Sequence, residues 1–395
     1  MIEIDTRFVN DVLASLVRID SVNPTLDPRR EGEAAIARFT AQTLRRLGLA
    51  VEIIEETPGR PSVVGVLRGS GSGPSLMLNA HYDTVGVDGM DAPFDAGVRD
   101  GRLYGRGSYD MKGSLAACIG AVEALVRASE RPAGDVLIAA VADEEVASIG
   151  TMDVLGRHRT DGAIITEPTS LRLCLAHKGF VWYELTTRGR AAHGSRPDLG
   201  IDANARMGRV LARLEALGTS LAQRRAHPLV GAGSIHAATL HGGTGMSTYA
   251  AECRLGIERR TIPGETEPRA TAELQAILDA LQAEDGSFEA SLEVTLARDP
   301  FEASPHSVLV DSLAAAAQRV LRHDIERVGD TPWMDAALTA AAGIDTVVFG
   351  PHGEGAHAAI EWVDLDSVYN CAHALALTAL DYCARSVPAP ASRIS

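Results

Sequence analysis

The stretch that decides the fold is Val136-Leu-Ile-Ala-Ala-Val-Ala-Asp-Glu-Glu-Val146. It begins with an unbroken apolar run, which predicts a buried strand of the kind found in parallel sheets. Two carboxylates, Glu144 and Glu145, stand side by side near its end. Neighbouring residues of an extended chain point to opposite sides. We therefore predict that these two side chains face different surroundings and can take different roles.

Strand and helix patterns alternate around this run. The predicted helices are Asp5–Val17, Glu31–Gly48, Gly113–Ala128 and one after Gly150. The predicted strands are Val51–Glu55, Ser62–Leu67, Leu76–Ala80, the run into Glu144, and Gly162–Thr166. This alternation predicts an α/β fold, a three-layer sandwich with a mostly parallel sheet.

A glycine-rich stretch, Gly69-Ser-Gly-Ser-Gly-Pro74, lies between two of the predicted strands. It lacks the Gly-Lys-Ser/Thr ending of a phosphate-binding loop. We therefore predict that it is a hairpin turn joining those strands.

The pattern changes near Gly179 to the order strand, helix, strand, strand, helix, strand. These segments are Phe180–Thr187, Ala203–Ala222, Ser234–Leu240, Cys253–Ile257, Glu267–Gln282 and Glu289–Leu296. The order predicts a ferredoxin-like α+β unit. After Pro300 the alternation resumes with Ser307–Leu321, Thr346–Phe349 and Asp364–Arg385. We therefore predict a catalytic domain made of residues 1–178 and 297–386, an inserted domain at 179–296, and a flexible tail at 387–395.

Composition restricts the class of protein. The net charge of −15 and the absence of a Lys/Arg cluster argue against nucleic acid as a partner. No apolar run is long enough for a membrane span, and the first residues lack the pattern of a secretory signal. The five cysteines are scattered without a Cys-x-x-Cys pair. This usage is typical of reduced thiols, so we expect a cytoplasmic protein.

Seven acidic and histidine residues follow predicted strands or precede a predicted helix. They are His81, Asp83, Asp110, Glu144, Glu145, Glu167 and His357. Sites in open α/β sheets form beyond the carboxyl ends of the strands, so we expect these groups to converge. Nitrogen and oxygen ligands without sulfur suit Zn²⁺, with Co²⁺ or Mn²⁺ as alternatives. Taken singly, each residue has an ordinary explanation as a hydrogen-bonded histidine, a helix cap or a solvated strand end.

Two of these positions have a local geometric argument. In His81-Tyr-Asp83, the first and third side chains of an extended segment lie on the same side. Asp83 is expected to accept a hydrogen bond from a ring nitrogen of His81 or to brace the site in another way. Asp110 has a short side chain in a glycine-rich turn, which suits a carboxylate bridging two cations roughly 3.5–4 Å apart.

Five motifs occur in one order: His81-x-Asp83, Gly105-Arg-Gly-x-x-Asp110-Met-Lys-Gly113, Asp143-Glu144-Glu145, Glu167-Pro-Thr169 and Ala356-His357. In this order they resemble the co-catalytic zinc amidohydrolase and metallopeptidase family that includes acetylornithine deacetylase, succinyl-diaminopimelate desuccinylase and glutamate carboxypeptidase. The resemblance runs from Ser21-Val-Asn-Pro24 to about Val368.

The resemblance implies a site with two zinc ions. His81 and Glu167 would bind one ion, and Glu145 and His357 would bind the other. Asp110 would bridge both ions, with a cis peptide bond after it as in relatives.

The resemblance also implies a catalytic division between two further carboxylates. Glu144 would be the general acid/base and Asp83 a brace for the ligands. The implied reaction is amide hydrolysis by a hydroxide that bridges the metals, with Glu144 passing the proton of the attacking water to the leaving amine.

The insert at 179–296 resembles the lid of that family, which implies a homodimer formed through it. His193, in Ala192-His-Gly194, would reach the site of a second copy and stabilise the oxyanion there. The ordinary alternative is an exposed loop histidine.

The substrate implied is an N-acyl amino acid or short peptide with a free carboxylate, as for acetylornithine deacetylase. Arg260 matches the lid arginine that pairs with that carboxylate, whereas we expect Arg259 at the surface. Ser247 begins the segment Ser247–Ala250, where many relatives carry an Asn-x-x-Pro segment facing the substrate. The acyl group and the amino acid therefore stay open.

Two alternatives remain beside this hypothesis. A carboxypeptidase or dipeptidase on the same scaffold would release a C-terminal amino acid. A binding or scaffolding protein with an inactive site is disfavoured, because Glu144 and every expected ligand are present.

Overall fold

The structure, a computed structural model, describes residues 2–385. The predicted flexible tail at 387–395 lies outside these residues. The chain forms two compact units. The first contains the chain up to Leu175, Ala303–Val328, and the chain from Met334 onward; the second contains Ala176–Glu302 and Gly329–Trp333. Each unit is described separately.

The helices, in chain order, are α1 (Thr6–Arg18), α2 (Ala34–Arg46), α3 (Gly113–Arg127), α4 (Ile149–Arg157), α5 (Ala203–Gln223), α6 (Glu267–Glu284), α7 (Val308–Leu321), α8 (Ala336–Ala341) and α9 (Leu365–Cys383). Several begin at side chains that cap backbone N–H groups. Asp5 caps α1 by accepting from the Phe8 N–H at 3.0 Å, and Asp364 caps α9 by accepting from the Ser367 N–H at 2.8 Å. None of the helices within residues 2–385 combines the length and apolar character that crossing a membrane requires.

The strands, in chain order, are β1 (Ala50–Ile54), β2 (Ser62–Leu67), β3 (Leu76–His81), β4 (Val98–Arg99), β5 (Arg102–Tyr104), β6 (Val136–Val141), β7 (Gly162–Ile165), β8 (Leu173–His177), β9 (Gly179–Arg188), β10 (Ser234–Gly242), β11 (Glu252–Thr261), β12 (Glu289–Arg298), β13 (Phe301–Glu302), β14 (Arg327–Asp330), β15 (Asp345–Val348), β16 (Gly353–Glu354) and β17 (Trp362–Asp364).

The large sheet of the first unit has the order β1-β2-β6-β3-β7-β15-β8. Its four middle strands, β6, β3, β7 and β15, run parallel, and the strands at its edges are antiparallel. All six residues of β6 are buried, as the apolar run predicts. Leu137, Ala139 and Val141 pack with Val154 of α4, while α3 packs on β3 and β6. The predicted α/β class is confirmed.

The glycine-rich stretch Gly69–Pro74 is not the predicted hairpin. Strand β6 lies between β2 and β3, so these two strands are not neighbours. The stretch instead packs against the segment that leads into β6. The Ser70 N–H donates to the Pro132 carbonyl, and a Cβ on Gly69 would meet the Ala133 carbonyl oxygen at 2.5 Å. Glycine is required here for close backbone approach rather than for a turn.

The second unit contains an antiparallel sheet with the order β10-β11-β9-β12. Helices α5 and α6 contribute Met207 and Leu274 to a core shared with Val181 and Tyr183 of β9. The element order and sheet order are those of a ferredoxin-like unit, so that part of the predicted fold is also confirmed.

A small sheet in the first unit was not predicted. Its order is β16-β17-β5-β4, and all its pairings are antiparallel. Its strands have only two or three residues, too short for a periodic sequence signal. It joins the segment before Asp110 to the segment after His357.

Candidate active site

Seven predicted site residues come together in the first unit, near the carboxyl ends of parallel strands. His81 is the last residue of β3, and Glu167 follows β7. Asp110 lies in a tight turn at Ser108–Lys112 that leads directly into α3. The peptide bond between Asp110 and Met111 is cis. The other members, Asp83, Glu144, Glu145 and His357, lie in loops after β3, β6 and β16.

The buried His81 imidazole is the centre of the first half of the cluster. Its Nε2 atom lies 3.1 Å from Asp110 Oδ1, 3.4 Å from Glu167 Oε1 and 3.9 Å from Glu144 Oε2. Its other nitrogen, Nδ1, lies 3.0 Å from the Asp83 backbone oxygen. The contact of Nδ1 with the Asp83 backbone oxygen therefore orients the ring so that Nε2 is directed toward the carboxylates.

The second half of the cluster surrounds His357, whose side chain is exposed. Its Nε2 atom lies 3.0 Å from Glu145 Oε2 and 3.4 Å from Asp110 Oδ2. One oxygen of Asp110 therefore faces His81 and the other faces His357. A carboxylate shared by two cations requires this arrangement.

Glu144 and Glu145 are not held by strand alternation, and that part of the prediction is wrong. Strand β6 ends at Val141. The two glutamates lie in a turn that begins at Asp143, whose φ is +67° and whose carbonyl accepts from the Ala147 and Ser148 N–H groups at 3.1 and 2.6 Å. A turn, not a pleat, separates the two side chains.

Asp83 holds this turn in place. Its buried carboxylate accepts hydrogen bonds from the Glu144 N–H at 3.0 Å and the Glu145 N–H at 3.3 Å. It also accepts from the Asn23 amide at 2.8 Å, and Oδ1 lies 3.5 Å from His81 Nδ1. The sequence left open whether Asp83 accepts a hydrogen bond from the His81 ring or braces the site in another way, and the geometry favours bracing. Asp83 connects strand β3, which ends at His81, to the turn that carries Glu144 and Glu145, called the glutamate turn below.

A buried ion network behind the turn was missed from the sequence. Arg60 donates to Asp143 Oδ1 and to Glu33, at 2.6 Å in both cases. The Asn23 amide donates to Asp143 at 3.0 Å as well as to Asp83. All five side chains are buried. Asn23 and Asp143 belong to motifs that were quoted from the sequence, but Arg60 and Glu33 had no motif to identify them.

Arg60→Met is expected to lower the free energy of unfolding by about 3 kcal/mol, because it leaves the buried carboxylates of Glu33 and Asp143 without their arginine partner. Burial raises the pKa of Glu33 to about 7, so Glu33 can take up a proton and limit the loss. Urea denaturation of the metal-free protein measures the change. Arg68→Met is the control, since Arg68 pairs with Asp135 at an exposed site and should cost at most about 1 kcal/mol. Equal losses in the two variants would show that the Arg60 network does not stabilise the fold.

Asp335 is a further buried carboxylate that no sequence motif indicated. It precedes α8, and its Oδ2 atom accepts from Thr151 Oγ1 at 2.5 Å. The Thr151 hydroxyl in turn accepts from the Asn79 amide on β3. Burial raises the pKa of Asp335 to about 6. Burial raises the pKa of Glu144 and Glu167, and the charge of Asp335 raises both further, so Asp335 adds to the negative potential of the cluster.

The cluster carries more negative charge than its own groups neutralise. Burial raises the pKa of Glu144 well above the usual carboxyl range, and the charge of Glu167 raises it further. Burial and the charge of Asp110 raise the pKa of Glu145 in the same direction. Hydrogen bonds to Asp110 and Glu145 raise the pKa of His357 to about 10. The raised pKa values of the two glutamates reflect the cost of charging buried groups beside other carboxylates, and the raised pKa of His357 reflects its pairing with two of those carboxylates.

Divalent cations fit this cluster. Two groups have ligand atoms within 4.8 Å of one another: His81 with Glu144 and Glu167, and His81 with Asp110 and Glu145. Among residues 2–385, the buried Glu145 Oε1 atom has no hydrogen-bond partner. Imidazole and carboxylate ligands suit zinc and related divalent ions. By distance alone, Glu144 qualifies as a ligand as well as a base.

Three predicted site residues lie in the second unit. His193 is exposed, and its Nδ1 atom lies 2.8 Å from Ser195 Oγ. The carbonyl of the exposed Ser247 accepts from the Gly194 N–H at 2.8 Å. Arg260 pairs with Glu258 and lies over the Phe180 ring, 5.4 Å from its centroid. Their roles in the site stay predictions.

Arg259 is not at the surface, contrary to expectation. Its side chain is buried on β11 and pairs with Glu265 at 2.8 Å and with Glu273 at 3.4 Å. Arg259 and Arg260 are adjacent residues of β11. Strand alternation places them on opposite faces of the sheet, and Arg259 takes the buried side.

Comparison with known proteins places these observations in a family. Residues 77–381 match the family model described as peptidase family M20/M25/M40. The chain is 30% identical to an acetylornithine deacetylase from Myxococcus xanthus over 344 residues, which cover 82% of this chain and 84% of that protein. It is 27% identical to an N-formyl-4-amino-5-aminomethyl-2-methylpyrimidine deformylase from Bacillus subtilis, with 91% of each chain covered.

The fold has close counterparts among solved structures. A tripeptidase from Staphylococcus aureus superposes with a TM-score of 0.79 at 18% sequence identity, covering 97% of this chain and 100% of that one. At this identity the likeness concerns the fold alone. The family match covers most of the chain, including all seven predicted site residues of the first unit. The chain therefore belongs to peptidase family M20/M25/M40, a family of metal-dependent hydrolases.

Proposed function

We propose that this hydrolase cleaves the amide bond of an N-acyl amino acid that carries a free carboxylate. The observation that carries the proposal is the position of Asp110 between His81 and His357, with Glu144 beside them. The similarity to an acetylornithine deacetylase over 344 residues supports the choice of an acylated amino acid as substrate.

We assign two cations to the cluster, with Zn²⁺ as the first choice and Co²⁺ or Mn²⁺ as alternatives. His81 and Glu167 would hold one, Glu145 and His357 the other, and Asp110 would bridge them. When bound, such ions lower the pKa of a water molecule and polarise an amide carbonyl.

Glu144 moves the proton in this proposal. It takes the proton from the attacking water and passes it to the nitrogen of the leaving amine. Its Oε2 atom is farther from His81 Nε2 than the nearest oxygens of Asp110 and Glu167, which supports its assignment as base rather than ligand. We assign oxyanion stabilisation to His193, from a second copy of the chain in a homodimer formed through residues 179–296.

Arg260 is the proposed partner of the substrate carboxylate. A planar guanidinium suits a carboxylate, since it can donate two parallel hydrogen bonds. Glu258 already pairs with Arg260, so a substrate carboxylate would have to compete with it or share its donors. Ser247 is proposed to face the substrate as well.

A second candidate function is removal of a formyl group from an amine without a carboxylate. The specific observation is the relative from Bacillus subtilis, a deformylase whose match covers 91% of each chain. The pairing of Arg260 with Glu258 is compatible with this candidate, because the guanidinium then needs no carboxylate from the substrate.

A substrate panel with the zinc-loaded protein separates the candidates. We expect release of free amine from N-acetyl-L-ornithine and other N-acetyl amino acids to exceed release from dipeptides and N-formyl amines. Arg260→Gln should raise KM for N-acetyl amino acids roughly 10- to 100-fold, since a hydrogen bond to a charged group contributes about 1.5–3 kcal/mol.

The matched control is Arg254→Gln, which removes an exposed arginine from the same strand and should leave KM unchanged. Faster hydrolysis of N-formyl amines, with no effect of Arg260→Gln, would favour the deformylase. Faster hydrolysis of dipeptides would favour the peptidase alternative.

A further inference from the structure

Glu361 is a buried residue whose carboxylate accepts hydrogen bonds from four donors. No motif of the sequence indicated it. Its side chain accepts from Arg106 Nη1 at 2.6 Å and from the Gly107 N–H at 3.0 Å. Its other oxygen accepts from the Tyr109 and Asp110 N–H groups at 3.0 and 3.1 Å. The residue is 2% exposed. One carboxylate therefore organises the whole backbone turn that ends at Asp110.

The same residue is tied to the loop of His357. Glu361 follows His357 by four positions and directly precedes β17, which pairs with β5. The Arg106 guanidinium donates a second hydrogen bond to the Ala358 carbonyl at 3.0 Å. The Gly105 N–H donates to the Glu361 carbonyl at 3.1 Å. The turn before Asp110 and the loop after His357 are thus held together by contacts through Glu361 and Arg106.

This arrangement matters because Asp110 and His357 come from distant parts of the sequence. Asp110 has a short side chain, so the position of its carboxylate follows the position of its backbone. His357 has a φ of +62°, which an L-residue adopts only when its surroundings fix it. The 3.4 Å separation of His357 Nε2 and Asp110 Oδ2 therefore depends on how the two segments are joined.

We propose that Glu361 is a positioning residue that sets the separation of Asp110 and His357 and so shapes the cation site that they share. The inference rests on the metal dependence in the proposed function. Glu361 itself touches no substrate and ligates no cation. It acts through the backbone of Gly107–Asp110 and through Arg106.

The test is titration of the metal-free protein with Co²⁺ alone, followed by visible absorption. Glu361→Gln turns one acceptor oxygen into a donor that faces N–H groups. We expect the affinity for the more weakly held Co²⁺ to fall about 10- to 100-fold, which is the usual range when a residue that holds a metal ligand in position is mutated. The absorption spectrum of the fully loaded protein should also change, since it reports ligand geometry.

The control is Glu354→Gln, which removes an exposed carboxylate from the same small sheet and should change neither affinity nor spectrum. If Glu361→Gln fails to fold, Glu361→Asp, which keeps the charge on a shorter side chain, answers the same question. A variant that is less stable to urea but binds Co²⁺ like the unaltered protein would overturn the inference and leave Glu361 a structural role only. If the unaltered protein binds no Co²⁺, the proposed metal dependence fails and the inference falls with it.

Discussion

Replacing Glu144 with Gln is expected to lower kcat by about 10²- to 10⁴-fold, the usual contribution of a general acid/base. Gln keeps the shape of the side chain and its backbone hydrogen bond to Asp83, so the turn should stay intact. What is lost is the ability to accept a proton from water. The bound metal should be unchanged. Steady-state kinetics on the N-acetyl amino acid that turns over fastest, and metal content from elemental analysis, measure both quantities.

Glu145→Gln is the matched comparison, since the two residues are adjacent in one turn. Glu145 Oε2 lies 3.0 Å from His357 Nε2, and Oε1 is buried without a hydrogen-bond partner among the described residues. We expect this variant to lose bound metal. If Glu144→Gln lost metal and Glu145→Gln retained it, Glu144 would be the metal ligand and Glu145 the group that moves the proton. That outcome is a real alternative, because Glu144 also lies within ligand distance of His81 and Glu167.

The sequence predicted most of the regular elements because each has a long periodic pattern. Strand β6 and helix α3 begin where predicted, and the ferredoxin-like order of the second unit follows from its alternating segments. Helix α2 begins three residues later than predicted, at Ala34, because Gly32 has a φ of +70°, which a right-handed helix cannot include. The apolar periodicity of the sequence does not reveal such a backbone break.

The residues that the structure brings together were predictable, and so was Asp83 as a brace, but the other supporting residues were not. Strand ends and motif order indicated His81, Asp110 and His357, which the structure brings together. Strand alternation predicted different surroundings for Glu144 and Glu145, but in the structure a turn and not a strand separates them, and their roles stay predictions. Residues such as Glu361 act through contacts with backbone N–H groups. Those contacts exist only after strands far apart in sequence have paired, so no local pattern can indicate them.

Asp83→Ala is expected to be more damaging to the fold than any other single change considered for this site. The Asp83 carboxylate is the partner of three donors: the buried Asn23 amide and the partly buried N–H groups of Glu144 and Glu145. Each donor left unpartnered costs about 1–3 kcal/mol, so we expect a loss of free energy of unfolding on the order of 5 kcal/mol. We also expect metal affinity to fall about 10- to 100-fold, because the turn that carries Glu145 loses its anchor.

Two measurements separate these effects of Asp83→Ala. Urea denaturation of the metal-free protein reports the hydrogen bonds alone, and Zn²⁺ titration of the folded variant reports the ligand geometry. Asp135→Ala is the control, because Asp135, like Asp83, accepts from a backbone N–H and from a side chain. Its donors are the Gly69 N–H and Arg68, and its site is partly exposed. This variant should cost about 1 kcal/mol or less and leave Zn²⁺ affinity unchanged. If Asp83→Ala behaved like Asp135→Ala in both measurements, Asp83 would not be the brace that joins His81 to the glutamate turn. The proposed division of work between Glu144 and Glu145 would then need another structural cause.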